Sequence, residues 1–211
     1  MDLTFEKVLV LSPHTDDGEL GAGGLIARLV ESGSQVKYLG FSACEESVPA
    51  GFPQDILRRE CVDACAVLGI QSDMVQILDY RVRRFSEKRQ EILDDMISIR
   101  NSFRPELVIC PSLGDVHQDH GVIAQEAVRA FKQNCLLSYE LPWNSFSFNN
   151  QLGVRLTEEQ VEKKANAIGC YKSQGHRDYM QEDYIVAAAK TRGCQLGTSF
   201  SEMYEVIRWV L

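Results

Sequence analysis

The chain has 211 residues, 45% of them apolar and 25% charged, with a formal net charge of −8. That length buries a substantial core without disulfides or a structural metal. The acidic balance weighs against nucleic acid or an anionic membrane as a general partner, because both need a basic footprint; a local basic groove for an anionic sugar or phosphate is still compatible with it.

The opening "MDLTFEKVLVLS" is acidic first and only briefly apolar, unlike a signal peptide. No apolar stretch approaches the ~20 residues that cross a bilayer. "KVLVLS" (7–12) reads as a buried strand, 19–33 as a helix ending at a glycine, and 35–42 as the next strand. Within 51–70, apolar residues at 57, 61, 64, 65 and 68 mark one face of a helix. A short strand is expected at 74–78, then a helix over 86–103 opened by Ser86 as N-cap. "ELVICP" (106–111) is a buried strand, followed by a helix over 121–133 and a strand over 136–141. Thr157 and Gln160 form a capping-box pattern for a helix reaching Tyr171, and 204–211 reads as a final strand. Strands alternating with helices imply a largely parallel sheet covered on both faces. The expectation is therefore a single α/β domain over 1–211, Rossmann-like, with three αβα layers. The irregular stretches are 43–53, 113–120 and 142–153.

Seven cysteines occur, none in a CxxC pair and most among apolar neighbours. They read as reduced thiols of a cytoplasmic protein. Cys61 and Cys65, four apart on one helix, are able to share a metal, but two small core-facing residues are the plainer reading.

Three of the four histidines fall in two short clusters, "PHTDDGE" and "GDVHQDH". Each cluster directly follows a buried strand. Ligands in open α/β sheets bind beyond the carboxyl ends of strands. Either cluster alone could be a solvated loop that caps the following helix. Together they bring His14, Asp16, Asp17, Asp115, His117, Asp119 and His120 to one sheet edge, where unpaired carboxylates repel one another unless a cation joins them. Two imidazoles and a carboxylate suit a catalytic zinc with an open position; ferrous iron also suits that donor set. With a leftover carboxylate as base and a leftover histidine to stabilise an oxyanion, these parts fit metal-assisted hydrolysis of an amide.

"PHTDDGELGAGG" (13–24) and "HQDH" (117–120) resemble the two signature motifs of the PIG-L/LmbE family of zinc-dependent N-deacetylases, approximately P-H-x-D-D-x-E-x-G-x-G-G and H-x-D-H. "RRECVDACAVLGI", with Glu60 eight residues before Leu68, and "YKSQ" (171–174) extend the resemblance over residues 8–174. The resemblance implies metal ligands at His14, Asp17 and His120, and a general base at Asp16. It implies that His117 assists the tetrahedral intermediate and leaving group, and that Asp119 orients a histidine. The implied substrate is a small N-acetylated amino sugar or its conjugate. Another amide in a sugar–thiol conjugate is the alternative bond. A non-catalytic sugar-binding protein is the alternative class, and retention of every catalytic position argues against it. Family members are often homo-oligomers, although no apolar seam in this sequence picks out an interface. Thr15 replaces a common proline of the motif, and Glu19 is expected to support the loop or helix start.

The glycines at 18, 21, 23 and 24 superficially suggest dinucleotide binding, but their spacing is not GxGxxG and acids precede them. A tight turn with close helix–sheet packing accounts for them. An iron oxygenase triad usually sits on an all-β barrel, unlike this pattern. Trp143 is placed to stack on a sugar or to anchor its loop. His176 and Arg177 read as plain surface residues, with the pocket rim as the alternative for His176 and a contact to an anionic substrate group as the alternative for Arg177. Tyr171, Lys172 and Gln174 read as helix-end structure.

Overall fold

The computed structural model describes residues 4–210. Seven strands, β1 (Lys7–Ser12), β2 (Gln35–Gly40), β3 (Val75–Ile77), β4 (Leu107–Pro111), β5 (Cys135–Tyr139), β6 (Leu152–Leu156) and β7 (Phe200–Arg208), form one sheet in the order β3-β2-β1-β4-β5-β7-β6. The first five in that order pair in parallel. β7 runs antiparallel to both β5 and β6. Six helices cover the sheet: α1 (Asp17–Glu31), α2 (Ile56–Val67), α3 (Arg89–Phe103), α4 (Gln118–Ala130), α5 (Glu158–Ile168) and α6 (Glu182–Leu196).

Alternation along the buried strands divides the core. Val8 and Val10 face the layer of α1, α2, α5 and α6, while Leu9 and Leu11 face α3 and α4. Both faces of β1 are dry, which is why it reads as an uninterrupted apolar run. The expected α/β, three-layer architecture holds. Because β1 continues to β2 on one side and neighbours β4 on the other, the sheet's switch point lies between β1 and β4. Their carboxyl ends open onto the same crevice.

Several expectations need correction. Ser86 is not an N-cap. It lies in a 3₁₀ turn, Phe85–Lys88, which the fully buried Phe85 pins against Phe41 and Tyr80. α4 begins at Gln118 rather than 121, because His117 is its N-cap and accepts the Asp119 N–H. The Thr157–Gln160 capping box is present, but α5 stops at Ile168. β6 and α6 were not anticipated, and the final strand begins at Phe200; Leu211, placed in that strand from the sequence, lies outside the described residues. All seven thiols are free, and Cys61 and Cys65 are buried core residues. Among the described residues no helix is long and apolar enough to cross a membrane.

The glycine-rich run packs α1 tightly. A Cβ at Gly18 would sit 2.7 Å from the Tyr38 ring. α1 breaks its helical geometry at Ala22 (φ −140°), and the freed N–H groups of Gly24 and Leu25 donate to the buried Glu202 carboxylate at 2.9 and 2.8 Å. A protein carboxylate thus takes the backbone donors that a dinucleotide phosphate would need.

Candidate metal centre and active site

The loop after β1 carries His14 and Asp16 and leads into Asp17 at the start of α1. The loop after β4 carries Asp115 and His117 and leads into Asp119 and His120 in the first turn of α4. Adjacent strands therefore deliver both clusters to one place. His14 Nδ1 lies 3.0 Å from Asp17 Oδ2, His120 Nε2 lies 3.2 Å from the same oxygen, and the two nitrogens are 3.2 Å apart. A tetrahedral ion with bonds of ~2.0–2.1 Å holds its ligand atoms about 3.3 Å apart. This triangle of lone pairs fits such an ion.

Carboxylates hold the far side of each ring. His14 Nε2 lies 3.1 Å from Asp119 Oδ2, and His120 Nδ1 lies 2.7 Å from Asp115 Oδ2. Once a ring is neutral, each contact keeps its remaining proton on the far nitrogen, so that the converging nitrogen can bind a cation. Asp119 thus orients His14 across the two motifs rather than a neighbour in its own. It is held in turn by the backbone N–H groups of Arg83 (2.5 Å) and Phe85 (3.3 Å), and Arg83 adopts a left-handed φ of 64° there. Asp115 also accepts the His117 N–H at 2.8 Å. Its role as partner of His120 was not assigned from the sequence; its place in the cluster was the only signal.

Asp16 and Asp17 separate because one ends the loop and the other begins the helix. Asp17 accepts the His14 N–H at 2.8 Å and faces both rings. Among the described residues the Asp16 carboxylate has no hydrogen-bond or ion-pair partner, and it lines the pocket. Below the loop, the Tyr38 and Tyr171 hydroxyls lie 3.0 and 2.6 Å from the Thr15 carbonyl and within hydrogen-bond reach of the buried Glu19, so each shares its one proton between these two acceptors. Glu60 of α2 accepts the N–H and hydroxyl of Ser173 at 2.8 and 2.6 Å, which anchors the "YKSQ" segment. Glu19 therefore supports the loop, as expected, and Tyr171 clamps the backbone between His14 and Asp16 rather than merely ending a helix.

Charges follow from this packing. Burial, then the neighbouring Asp17, raises the Asp16 carboxyl to about 6. Asp17 is held low, since the attraction of His120 and His14 outweighs its burial. Burial opposes charge on His14 and His120, but Asp17 and the carboxylates on their far nitrogens prevail and raise them to about 9 and about 10. Burial, with His120 and His14 beside it, lowers His117 to about 4. His117 is therefore neutral at pH 7. Its Nδ1 accepts the Asp119 N–H at 3.3 Å, so the proton belongs on Nε2.

The two raised imidazoles give a testable consequence. Their favourable charge stabilises the cation-free fold fully below about pH 6.5 and is lost as pH rises through 9 to 10. A bound cation needs both rings neutral. Zinc uptake at pH 7.5 is therefore expected to release close to two protons, measured by calorimetry in buffers of different ionisation heat. Uptake with no proton release would contradict this assignment.

A pocket of about 310 Å³ opens over these groups. Asp16, His117, Arg177, Gln174 and Tyr179 line it. Trp143 is part of its wall and stacks on Tyr179, with ring centroids 4.0 Å apart and 12° between planes. Arg177 is half-buried and donates to the Tyr179 hydroxyl. His176 is exposed and absent from the lining, in keeping with a surface histidine. Gln174, read from sequence as helix-end structure, lines the pocket instead. Tyr179 was missed; it follows a segment with no apolar period to flag it. A second buried group, Glu19 with Cys61 and Cys65, offers donors within 4.8 Å of one another. Burial raises the Cys65 thiol well above its ordinary range, and both tyrosines already engage Glu19.

Residues 9–131 match the protein family described as "PIG-L: GlcNAc-PI de-N-acetylase". The chain is 31% identical over 144 residues to a probable N-acetyl-alpha-D-glucosaminyl L-malate deacetylase 2 of Bacillus cereus, covering 58% of this chain and 60% of that protein's length. It is 29% identical over 220 residues to the diacetylchitobiose deacetylase of Thermococcus kodakarensis, covering 93% of this chain and 81% of the relative. In structure it superposes on GalB, the 4-carboxy-2-hydroxymuconate hydratase of Pseudomonas putida KT2440, with a TM-score of 0.80, 20% identity and 98% of each chain covered. That last likeness shows the fold, which by itself does not select an activity.

Proposed function

From the premise that the chain belongs to the PIG-L (GlcNAc-PI de-N-acetylase) family, we propose that it hydrolyses the acetamide of an N-acetylated amino sugar or sugar conjugate. The observation that carries this reading is the donor triangle of His14, Asp17 and His120 beside the unpartnered carboxylate of Asp16. Those three side chains would hold a divalent ion, zinc or ferrous iron, with Asp115 and Asp119 fixing the rings. The ion supplies Lewis acidity toward a carbonyl oxygen and brings the pKa of water toward ~7.

The remaining steps belong to the protein's own groups. Asp16, poised at about 6, takes the proton from the attacking water. His117 donates its Nε2–H to the carbonyl oxygen as negative charge develops there. The family resemblance also gives His117 a part in departure of the amine; neutral at pH 7, it would act there through its Nε2–H rather than as an imidazolium. The proton held by Asp16 passes to the amine nitrogen as the C–N bond breaks. Water's oxygen and one of its protons end in acetic acid, which ionises to acetate, and the other proton ends on the sugar amine. The site draws on residues from both motifs and from 143–179, and we treat 1–211 as one such catalytic unit. Free thiols throughout the chain fit a reducing compartment such as the cytoplasm.

Incubation with a panel of N-acetylated sugars, read by NMR, tests this reading. Acetate and free amine in equal amounts are expected from at least one glucosamine derivative. Turnover of another amide without acetate, or of an unsaturated acid by hydration, would overturn it. A second expectation concerns the partner of His120. Asp115→Ala should weaken zinc binding by ~10–100-fold while the fold persists; unchanged affinity by competition with a chelating dye would count against the paired-carboxylate account.

A further inference from the structure

Across Leu20 and Trp143 from the catalytic pocket lies a second cavity of about 400 Å³, and those two residues line both spaces. This volume falls in the ~300–1,000 Å³ range of small-molecule sites. The cavity lies between α6, β7, α1 and the segment after β5. Pro142, Ile185, Ala188 and Met203 complete its apolar walls.

Its charged residues are satisfied by one another. Lys164 Nζ lies 2.7 Å from Glu202, and Arg192 pairs with Glu140. Glu202 also accepts the Tyr204 hydroxyl at 2.6 Å, beside the two α1 backbone donors. The cavity therefore offers no spare charge to an ionic ligand. Ser201 also lines it, is fully buried, and its hydroxyl has no hydrogen-bond partner. That hydroxyl is closed off from the cavity, so it adds no polar contact there.

We infer that this cavity is a subsite for a neutral, apolar alkyl or aryl group carried by the sugar whose acetamide occupies the catalytic pocket, held by the apolar walls. The inference rests on the deacetylase reading for the occupant's attachment. Leu20 and Trp143 face both spaces, so the two lie one side chain apart. A free, fully polar sugar leaves this cavity unused, whereas a conjugate with an apolar aglycone fills both.

The test uses methyl, butyl and hexyl glycosides of N-acetylglucosamine, measuring deacetylation and binding in parallel. Binding is followed by Trp143 fluorescence in a Trp209→Phe background, since the chain has two tryptophans. A fully buried methylene is worth about 4-fold, so kcat/KM and affinity should each rise at least about 10-fold from methyl to hexyl. Ala188→Phe, which fills the cavity, should abolish that gain and leave the methyl glycoside within about 2-fold of the unsubstituted protein. Absence of acetate from every glycoside would sink the deacetylase reading, and the binding ratio would still decide the cavity. A flat chain-length series in the parent protein overturns the inference. So does a series that Ala188→Phe leaves unchanged while light scattering shows that this variant breaks an oligomer, which would give the cavity to a second copy of the chain.

Discussion

Asp16→Ala is expected to keep its metal and to lower kcat by about 10²–10⁴-fold, the usual contribution of a positioned general base. The expectation comes from how adjacent acids diverge at the β1–α1 junction. Asp17 is committed to His14 and His120, whereas Asp16 makes no side-chain hydrogen bond among the described residues. Burial and the charge of Asp17 place Asp16 at about 6, close to the value that suits a base at neutral pH. Removing it leaves the three converging donors untouched. Zinc titration should therefore match the parent protein while turnover collapses. Full activity in Asp16→Ala would give the base to another group, and lost metal would show that the two acids act together.

Asp17→Ala is expected to lose metal and activity together. Its Oδ2 is one corner of the donor triangle and the anion that both imidazoles face at 3.0 and 3.2 Å. Loss of a direct ligand should weaken zinc binding by more than the ~10²-fold that loss of an orienting partner costs. The same substitution removes the charge that holds His14 and His120 protonated, so their pKa values should fall toward the ordinary histidine range and be visible by NMR in the cation-free protein. Retention of zinc at parental affinity would favour the three-imidazole set of His14, His117 and His120, whose nitrogens also lie within 4.8 Å of one another. Two observations stand against that set. His117 Nδ1 is occupied in capping α4, and the tighter triangle belongs to Asp17.

Much of this site was legible because chemistry and periodicity coincide. β1 and β4 are dry on both faces, so each appears as an apolar run followed at once by a motif. The Thr157–Gln160 box is a local contact and was readable as such. α6 was not, because its buried positions are few and small, chiefly Ile185, Ala189 and Gly193, and give no strong stripe. β6 is an edge strand interrupted by Gly153, where a side chain would meet Leu196. The start of α4 falls three residues before the expected 121, because the actual cap is the motif's own His117. Asp115 and Tyr179 acquire their roles only through tertiary placement. Asp115 meets His120 across a helix start, and Tyr179 arrives from beyond α5 to stack on Trp143.

The central claim is that His14, Asp17 and His120 form a divalent-metal centre. Crystals grown with zinc and measured on both sides of its absorption edge test it most directly. One anomalous peak within ~2.0–2.2 Å of His14 Nδ1, Asp17 Oδ2 and His120 Nε2 is expected, with Asp16 and His117 outside bonding distance. A peak bonded to His117 in place of Asp17, or no peak at this crevice at saturating zinc, would contradict it.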